Sequence, residues 1–182
     1  LNVVSSEHSK QVFLNSKFDR MDSKSNQKVG EIKIEKPIEV LLEGANLDIY
    51  KPIKEKDIKN LELFKDINSI PEDFAFLVVG HWMQGAFGED RKNIGVTLKS
   101  FYETFKNKKK KPALIIKTSA VSSSHMDRRE IMNRINSIRE ACSGKLPNVY
   151  LLNGNLSNTQ MNELYNHPKV KAMVSLTRGE GY

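Results

Sequence analysis

From Phe74 onward the chain alternates between short apolar runs and segments whose apolar residues recur every three or four positions, and this alternation limits the fold more than any other feature. Phe74-Ala75-Phe76-Leu77-Val78-Val79 is continuous apolar sequence and reads as a buried strand. Ile94, Leu98, Phe101, Tyr102 and Phe105 then share one face of a helix, which Pro112 ends. Ala113 to Ile116 form a second strand. Ser124-His125-Met126-Asp127 has the Ser-x-x-acid form of a capping box and opens a helix with Ile131, Ile135, Ile138 and Cys142 on its core face. Gly144 and Pro147 break that helix, and Val149 to Leu152 form a third strand. Ser157-Asn158-Thr159-Gln160 is a second capping box, before a short helix through Leu164 and Tyr165. Val170 to Leu176 form a fourth strand, which runs into Thr177-Arg178-Gly179-Glu180-Gly181-Tyr182. Strand–helix alternation of this kind predicts an α/β fold, a Rossmann-like parallel sheet with flanking helices. Ligands of such sheets sit beyond the carboxyl ends of the strands, here the loops 80–93, 117–125, 153–157 and 177–182.

The first 73 residues are organised differently. Val3-Val4 ends a short strand and Ser5 to Leu14 starts a helix. Residues 15–36 are rich in Lys, Ser and Asn and read as a loop or linker. Ile38 to Leu42 form another strand before a Glu43-Gly44-Ala45-Asn46 turn, so a domain boundary is expected near residue 36.

Composition excludes several classes. With 38% hydrophobic residues the chain is too apolar for a disordered tail, and it contains no apolar run of the roughly 20 residues a membrane span needs. Cys142 is the single cysteine, which excludes an internal disulfide and a cysteine-only metal site; a reducing, cytoplasmic setting is the expectation. The formal charge of +7 favours anionic partners. Part of that excess is local: Lys106 and Lys108 to Lys111 precede Pro112, where they read as a solvated cap at a helix end or, less simply, as a nucleic-acid contact. The chain begins at Leu1 without Met or an apolar leader and stops in a Gly-rich turn, so it reads as an internal segment of a longer protein.

Among the loops, 80–93 carries the most chemistry. It is not a Walker phosphate loop, because Ala86-Phe87 stand where Lys-Ser/Thr is required, and it lacks a full Gly-x-Gly-x-x-Gly fingerprint. Arg91-Lys92 lie directly before a helix start, where cations oppose the helix dipole and a bound anion would reverse that cost. They read either as an anion site or as an exposed pair balanced by Glu89 and Asp90. Glu180, between two glycines, is either a substrate-contacting carboxylate or an ordinary turn residue; Gly181 and Tyr182 offer backbone N–H groups to an anion. Trp82 either stacks on a ring or belongs to the core. His8, His81, His125 and His167 have no metal-ligand spacing, and Ser122-Ser123-Ser124 lacks a nucleophile elbow, so no metal is assigned and serine-hydrolase chemistry is disfavoured.

Taken in order, these segments resemble the retaining nucleotide-sugar glycosyltransferases of the GT-B fold, the family 4-like group. Val3-Val4-Ser5-Ser6-Glu7-His8-Ser9-Lys10-Gln11-Val12-Phe13 resembles the segment closing the acceptor domain. Ile38 to Leu42, with Glu43-Gly44-Ala45-Asn46 through Tyr50-Lys51-Pro52, resembles the strand and turn opening the donor domain. Phe76 to Trp82 with Arg91-Lys92-Asn93 is similar to the first donor-domain strand and its diphosphate site, and Ser175 to Tyr182 to the start of the Glu-x7-Glu motif.

The resemblance implies that residues 1–36 end the acceptor-side domain and its linker, and that 37–182 are a donor domain truncated at its C-terminus. It implies that Arg91 and Lys92 bind the donor diphosphate, that Glu180 contacts the transferred sugar near the reacting carbon, and that Gly181 and Tyr182 offer N–H groups to the phosphates. Gly154 and Leu156 would receive the nucleobase. Positioned cations facing a diphosphate leaving group are worth about 10²–10³-fold in rate per donor. His81 stands where the family often has Arg, which leaves more phosphate work to Arg91. The second Glu of the motif would fall at position 188, so the segment is expected to be inactive alone. The implied activity is transfer of a sugar from a nucleotide-sugar donor to an unidentified acceptor (glycan, lipid or protein) with retention. No metal or other cofactor is expected, and the setting is cytoplasmic, with peripheral membrane contact left open. Two alternatives stand: a basic α/β module binding nucleic acid through Lys106 to Lys111, and a nucleotide-sugar epimerase of the same fold.

Overall fold

The computed structural model describes residues 1–57, 64–83, 85–119 and 121–179. The chain divides into two compact units, Leu1–Ala45 and Asn46–Arg178.

In the first unit, β1 (Asn2–Val4) leads into α1 (Glu7–Asn15), whose N-cap Ser6 accepts a hydrogen bond from the Ser9 amide at 3.2 Å. The segment expected to be a linker is instead an antiparallel hairpin of β2 (Lys17–Met21) and β3 (Lys28–Lys33). Its turn is closed by Asp22, whose Oδ1 accepts from the amides of Lys24 and Ser25 at 3.0 and 2.7 Å, and by Asn26 in the left-handed region at φ 51°. These bonds, with one from the Ser25 hydroxyl at 2.8 Å, hold Asp22 below the usual carboxylate range, chiefly through the Ser25 amide. Next, β4 (Ile38–Val40) pairs in parallel with β1, Asn2 opposite Ile38. The boundary expected near residue 36 thus falls between β3 and β4, inside this unit, because β4 takes its partner from the N-terminal strand.

The second unit contains α2 (Lys65–Ser69), β5 (Ala75–His81), α3 (Ile94–Phe105), β6 (Ala113–Ser119), α4 (His125–Glu140), β7 (Val149–Leu152), α5 (Asn158–Tyr165) and β8 (Val170–Met173). It is α/β: a four-stranded parallel sheet in the order β7-β6-β5-β8, flanked by helices. β8 is shorter than the apolar run that suggested it. The pairing with β5 slips after Ala75, although the Val174 amide still reaches the Leu77 carbonyl at 3.0 Å.

Strand alternation feeds two cores. Leu114, Ile116 and Val78 face α3 and α4, where they meet Leu98, Phe101, Ile131 and Ile135. Ala113, Ile115, Ala75 and Leu77 face the other way, onto Ile67 of α2 and Leu164 of α5. Two covered faces explain why β5 and β6 read as unbroken apolar sequence. The helix ends were chosen locally. Ser157 and Gln160 complete a reciprocal capping box, whereas Asp127 does not return to its cap residue: Ser124 Oγ accepts from the Asp127 amide, and Asp127 Oδ1 accepts from the amides of Val121 and Ser122. His167, expected to be a turn residue, is 2% exposed and anchors that turn, with Nε2 2.9 Å from Asn68 Oδ1 and Nδ1 accepting from the Lys169 amide. No helix among the described residues is long and apolar enough to cross a membrane.

The central strands carry the stability. Ile116→Ala is expected to cost about 2–5 kcal/mol in chemical denaturation. Met126→Ala, on the exposed side of α4, is expected to stay within about 0.5 kcal/mol.

Candidate functional site

From β5 the chain moves outward through β6 to β7, with α3 and α4 on one face. It then crosses back over α5, on the other face, to place β8 on the far side of β5. The direction of winding therefore reverses between β5 and β8, and the region beyond the carboxyl ends at such a reversal is the usual ligand position in an open parallel sheet.

The loops after these two strands are tied together. The Arg91 carbonyl accepts from the Arg178 amide at 2.9 Å and from Thr177 Oγ1 at 3.1 Å, and Asn93 Nδ2 donates to the Leu176 carbonyl at 2.8 Å. The Arg178 guanidinium also donates to the Gly88 carbonyl. Lys92 lies across the end of β5: a Cβ built on Gly80 would meet Lys92 Cγ at 3.3 Å, so glycine lets the lysine stem settle over the strand. Arg91, Lys92 and Arg178 are thus gathered at the reversal point, beside the N-terminus of α3.

That helix begins without an acidic residue in its first turn, and its N-cap Asn93 sits in the left-handed region at φ 49° with no side-chain cap bond. Asp90, 5% exposed, supplies the missing acceptor: its Oδ1 takes the Ile94 amide at 3.4 Å and its carbonyl takes the Asn93 amide at 3.0 Å. Glu89 Oε2 accepts from the Ala86 amide at 3.0 Å. Both acids beside the Arg-Lys pair therefore serve backbone amides. Trp82 is a core residue rather than a stacking platform, being buried with Val78, Leu98 and Ile135. The Arg134 guanidinium lies over its ring, 5.8 Å from the centroid, and donates to the Trp82 and Met83 carbonyls at 3.0 and 3.1 Å.

A second pair of loops continues the same edge of the sheet. The Trp82 amide donates to the Ser119 carbonyl, and His81 Nδ1 lies 3.1 Å from Ser119 Oγ, which joins the β5 and β6 ends. Lys117 then donates from Nζ to the Gly154 carbonyl at 2.6 Å, and Ser123 Oγ to Asn155 Oδ1 at 3.0 Å, joining β6 to the loop after β7. Burial holds the Lys117 ammonium below the ordinary lysine range. Gly154 has φ +130°, a conformation an L side chain rarely adopts, while Leu156 packs its side chain on the core beneath, with Leu152 and Tyr165.

Of the residues expected to form a site, Arg91 and Lys92 lie together at the reversal point, and Gly154 and Leu156 lie on the loop two strands away. Glu180, Gly181 and Tyr182 lie outside the described residues. Sequence reasoning missed Arg178, Lys117 and Arg134, whose hydrogen bonds bridge 90, 37 and 52 positions. Only the presence of a cation in or next to a strand-end loop hinted at any of them. Among the described residues no group of three His, Cys, Asp or Glu side chains is placed to hold a metal ion.

Lys117→Met keeps the aliphatic stem and deletes the bond to Gly154. A lost hydrogen bond of about 1 kcal/mol predicts roughly fivefold faster amide exchange in residues 153–157, with β5 unaffected. Equal exchange in both segments would show that the lysine does not hold the loop. No protein-family model, curated protein or solved structure matches the chain.

Proposed function

We propose that residues 37–182 are a truncated donor domain, and residues 1–36 the end of the acceptor-side domain and its linker, of a retaining GT-B glycosyltransferase, which moves a sugar from a nucleotide-sugar donor to an acceptor. The observation that carries the reading is the junction at the β5/β8 reversal, where Arg91, Lys92 and Arg178 meet at the start of α3. Three cations beside a helix N-terminus suit a diphosphate, whose negative charge grows as it leaves the sugar. Arg91 and Lys92 bind that diphosphate in this reading. Gly154, bonded by Lys117, and Leu156, on the loop after β7, receive the nucleobase, and Glu180 contacts the transferred sugar. Gly181 and Tyr182 contribute backbone N–H groups to the phosphates. The same junction suits an epimerase acting on a nucleotide sugar, and product analysis with a labelled donor separates transfer from isomerisation.

Calorimetric titration with UDP-, GDP- and ADP-sugars tests the donor site directly. One of the three is expected to bind, and Arg91→Ala and Lys92→Ala are each expected to weaken it by about tenfold or more, the loss of one charge-assisted phosphate contact. Unchanged affinity in both variants would remove the diphosphate assignment.

A further inference from the structure

The lysine run after α3 is not accounted for by the helix it follows. Lys106 is the C-cap residue and pairs with Glu103. Lys108 to Lys111 lie beyond it, whereas the attraction of a helix dipole fades within its last turn. The chain turns away at Asn107, which adopts φ 61° and exchanges hydrogen bonds with Lys145: its amide donates to the Lys145 carbonyl, and its Oδ1 accepts from the Lys145 amide, both at 2.9 Å. Among the described residues, none of Lys108 to Lys111 has a carboxylate within ion-pair distance. Four consecutive lysines thus follow one another without an ion pair among the described residues, on a loop fixed at its start.

That loop borders a cavity of about 560 Å³, bounded by Lys109, Lys110 and Lys111 on one side and by Phe74, Phe76 and Phe105 on the other. The rings form a continuous apolar wall, with centroids 5.0 Å apart for Phe74–Phe76 and 5.8 Å for Phe76–Phe105. Phe74 is 42% exposed, a large apolar surface left open beside the lysines. Two carboxylates, Glu72 and Asp73, also line the cavity and are outnumbered. Glu72 is already engaged, accepting from Asn148 Nδ2 at 2.7 Å and from the Tyr150 hydroxyl at 3.2 Å. The cavity lies before the amino ends of β5 and β6, whereas Arg91 and Lys92 lie beyond the carboxyl end of β5. A seven-residue strand separates the two by roughly 20 Å.

We propose that this cavity is a second binding site, which takes an amphipathic anion: an apolar chain ending in a phosphate monoester. The volume is that of a small-molecule site, the phenylalanine wall takes the chain, and the lysines take a group that carries nearly two negative charges. Lysine suits this task because three flexible point charges can converge on one phosphate. The wall also argues against nucleic acid as occupant, since extended backbone contact needs cations spaced along a groove, whereas here Lys109 to Lys111 border a wall of phenylalanine rings. The same chemistry comes either as a free alkyl phosphate or as the headgroup end of a membrane lipid.

The probe is decyl phosphate below its micellar concentration, titrated into the 182-residue chain and followed by amide chemical shifts. It is expected to bind at least about tenfold more tightly than decyl maltoside or inorganic phosphate, with shifts confined to residues 71–76 and 105–112. The double variant Lys109→Glu/Lys110→Glu and the separate variant Phe74→Ser are each expected to weaken it by about tenfold, while Lys92→Ala leaves it unchanged. The substituted lysines are exposed and Phe74 is partly so, and retained circular dichroism confirms that each variant folds. Displacement of the probe by phosphatidylcholine vesicles containing phosphatidic acid identifies a lipid as the source. Displacement only by dissolved alkyl phosphates identifies a free ligand. Equal binding of decyl maltoside, equal binding of inorganic phosphate, or indifference to both variants overturns the proposal. So does an RNA oligonucleotide that displaces the probe and binds Phe74→Ser undiminished.

Discussion

β5 and β6 form a ribbon with both faces covered, and the rest of the second unit is arranged around that requirement. A parallel pair cannot be closed by a tight turn, so each strand must be followed by a crossover long enough to return the chain to the other end. Those crossovers are the helices that cover the ribbon, and their right-handed sense decides which face each one takes. Helices α3 and α4 fill one side because the chain advances in one direction across the sheet. Helix α5 fills the other because β8 must be laid down on the opposite flank of β5. Burial of Ala75, Leu77 and Leu114 to Ile116 is therefore tied to the existence of a reversal point, the place where an open parallel sheet usually takes its ligand.

Loop geometry then ties the strand ends to one another. Each strand-end loop is bonded to the next along the sheet edge, through Arg91 with Arg178, through Ser119 with His81 and Trp82, and through Lys117 with Gly154. Most of these bonds end on backbone carbonyls, so the loops are fixed by main-chain shape as much as by side-chain identity. The two acids next to Arg91 and Lys92 hold backbone amides in place, and the cations of the junction take their position from the strand ends and from the helix behind them.

Much of this second unit was legible in the sequence. The apolar runs at 74–79, 113–116 and 149–152 marked strands, the spacing of Ile94, Leu98 and Phe101 marked α3, and Ser157 with Gln160 marked the start of α5. The order of the strands was not legible, because periodicity records which face is buried and not which neighbour is paired. The β2–β3 hairpin was hidden for a related reason. Nearly every side chain in it is exposed, so Phe18 and Ile32 pair across strands crowded with charge, and the composition resembles a loop. Capping by Asp127 was half right: an aspartate is one methylene shorter than the glutamate of a reciprocal box, and its carboxylate holds the preceding turn instead. At the site, the Arg91-Lys92 pair stood out because cations oppose a helix start. Lys117, Arg134 and Arg178 did not, because what they bond is distant in sequence.

The reach of Arg134 has a consequence for the order of assembly. Its guanidinium closes the loop after β5 by bonding the Trp82 and Met83 carbonyls from 52 and 51 positions downstream. That loop cannot acquire its final shape when β5 forms; it must wait for β6 to pair and for α4 to dock. Contacts of such separation pay their loop-closure entropy late. The segment leading to Arg91 and Lys92 is thus among the last parts to be completed, and by microscopic reversibility among the first to be released. Partial detachment of α4 would loosen the cationic junction while the sheet beneath it remained intact, so the shape of that junction depends on a helix that reaches it through the Arg134 side chain.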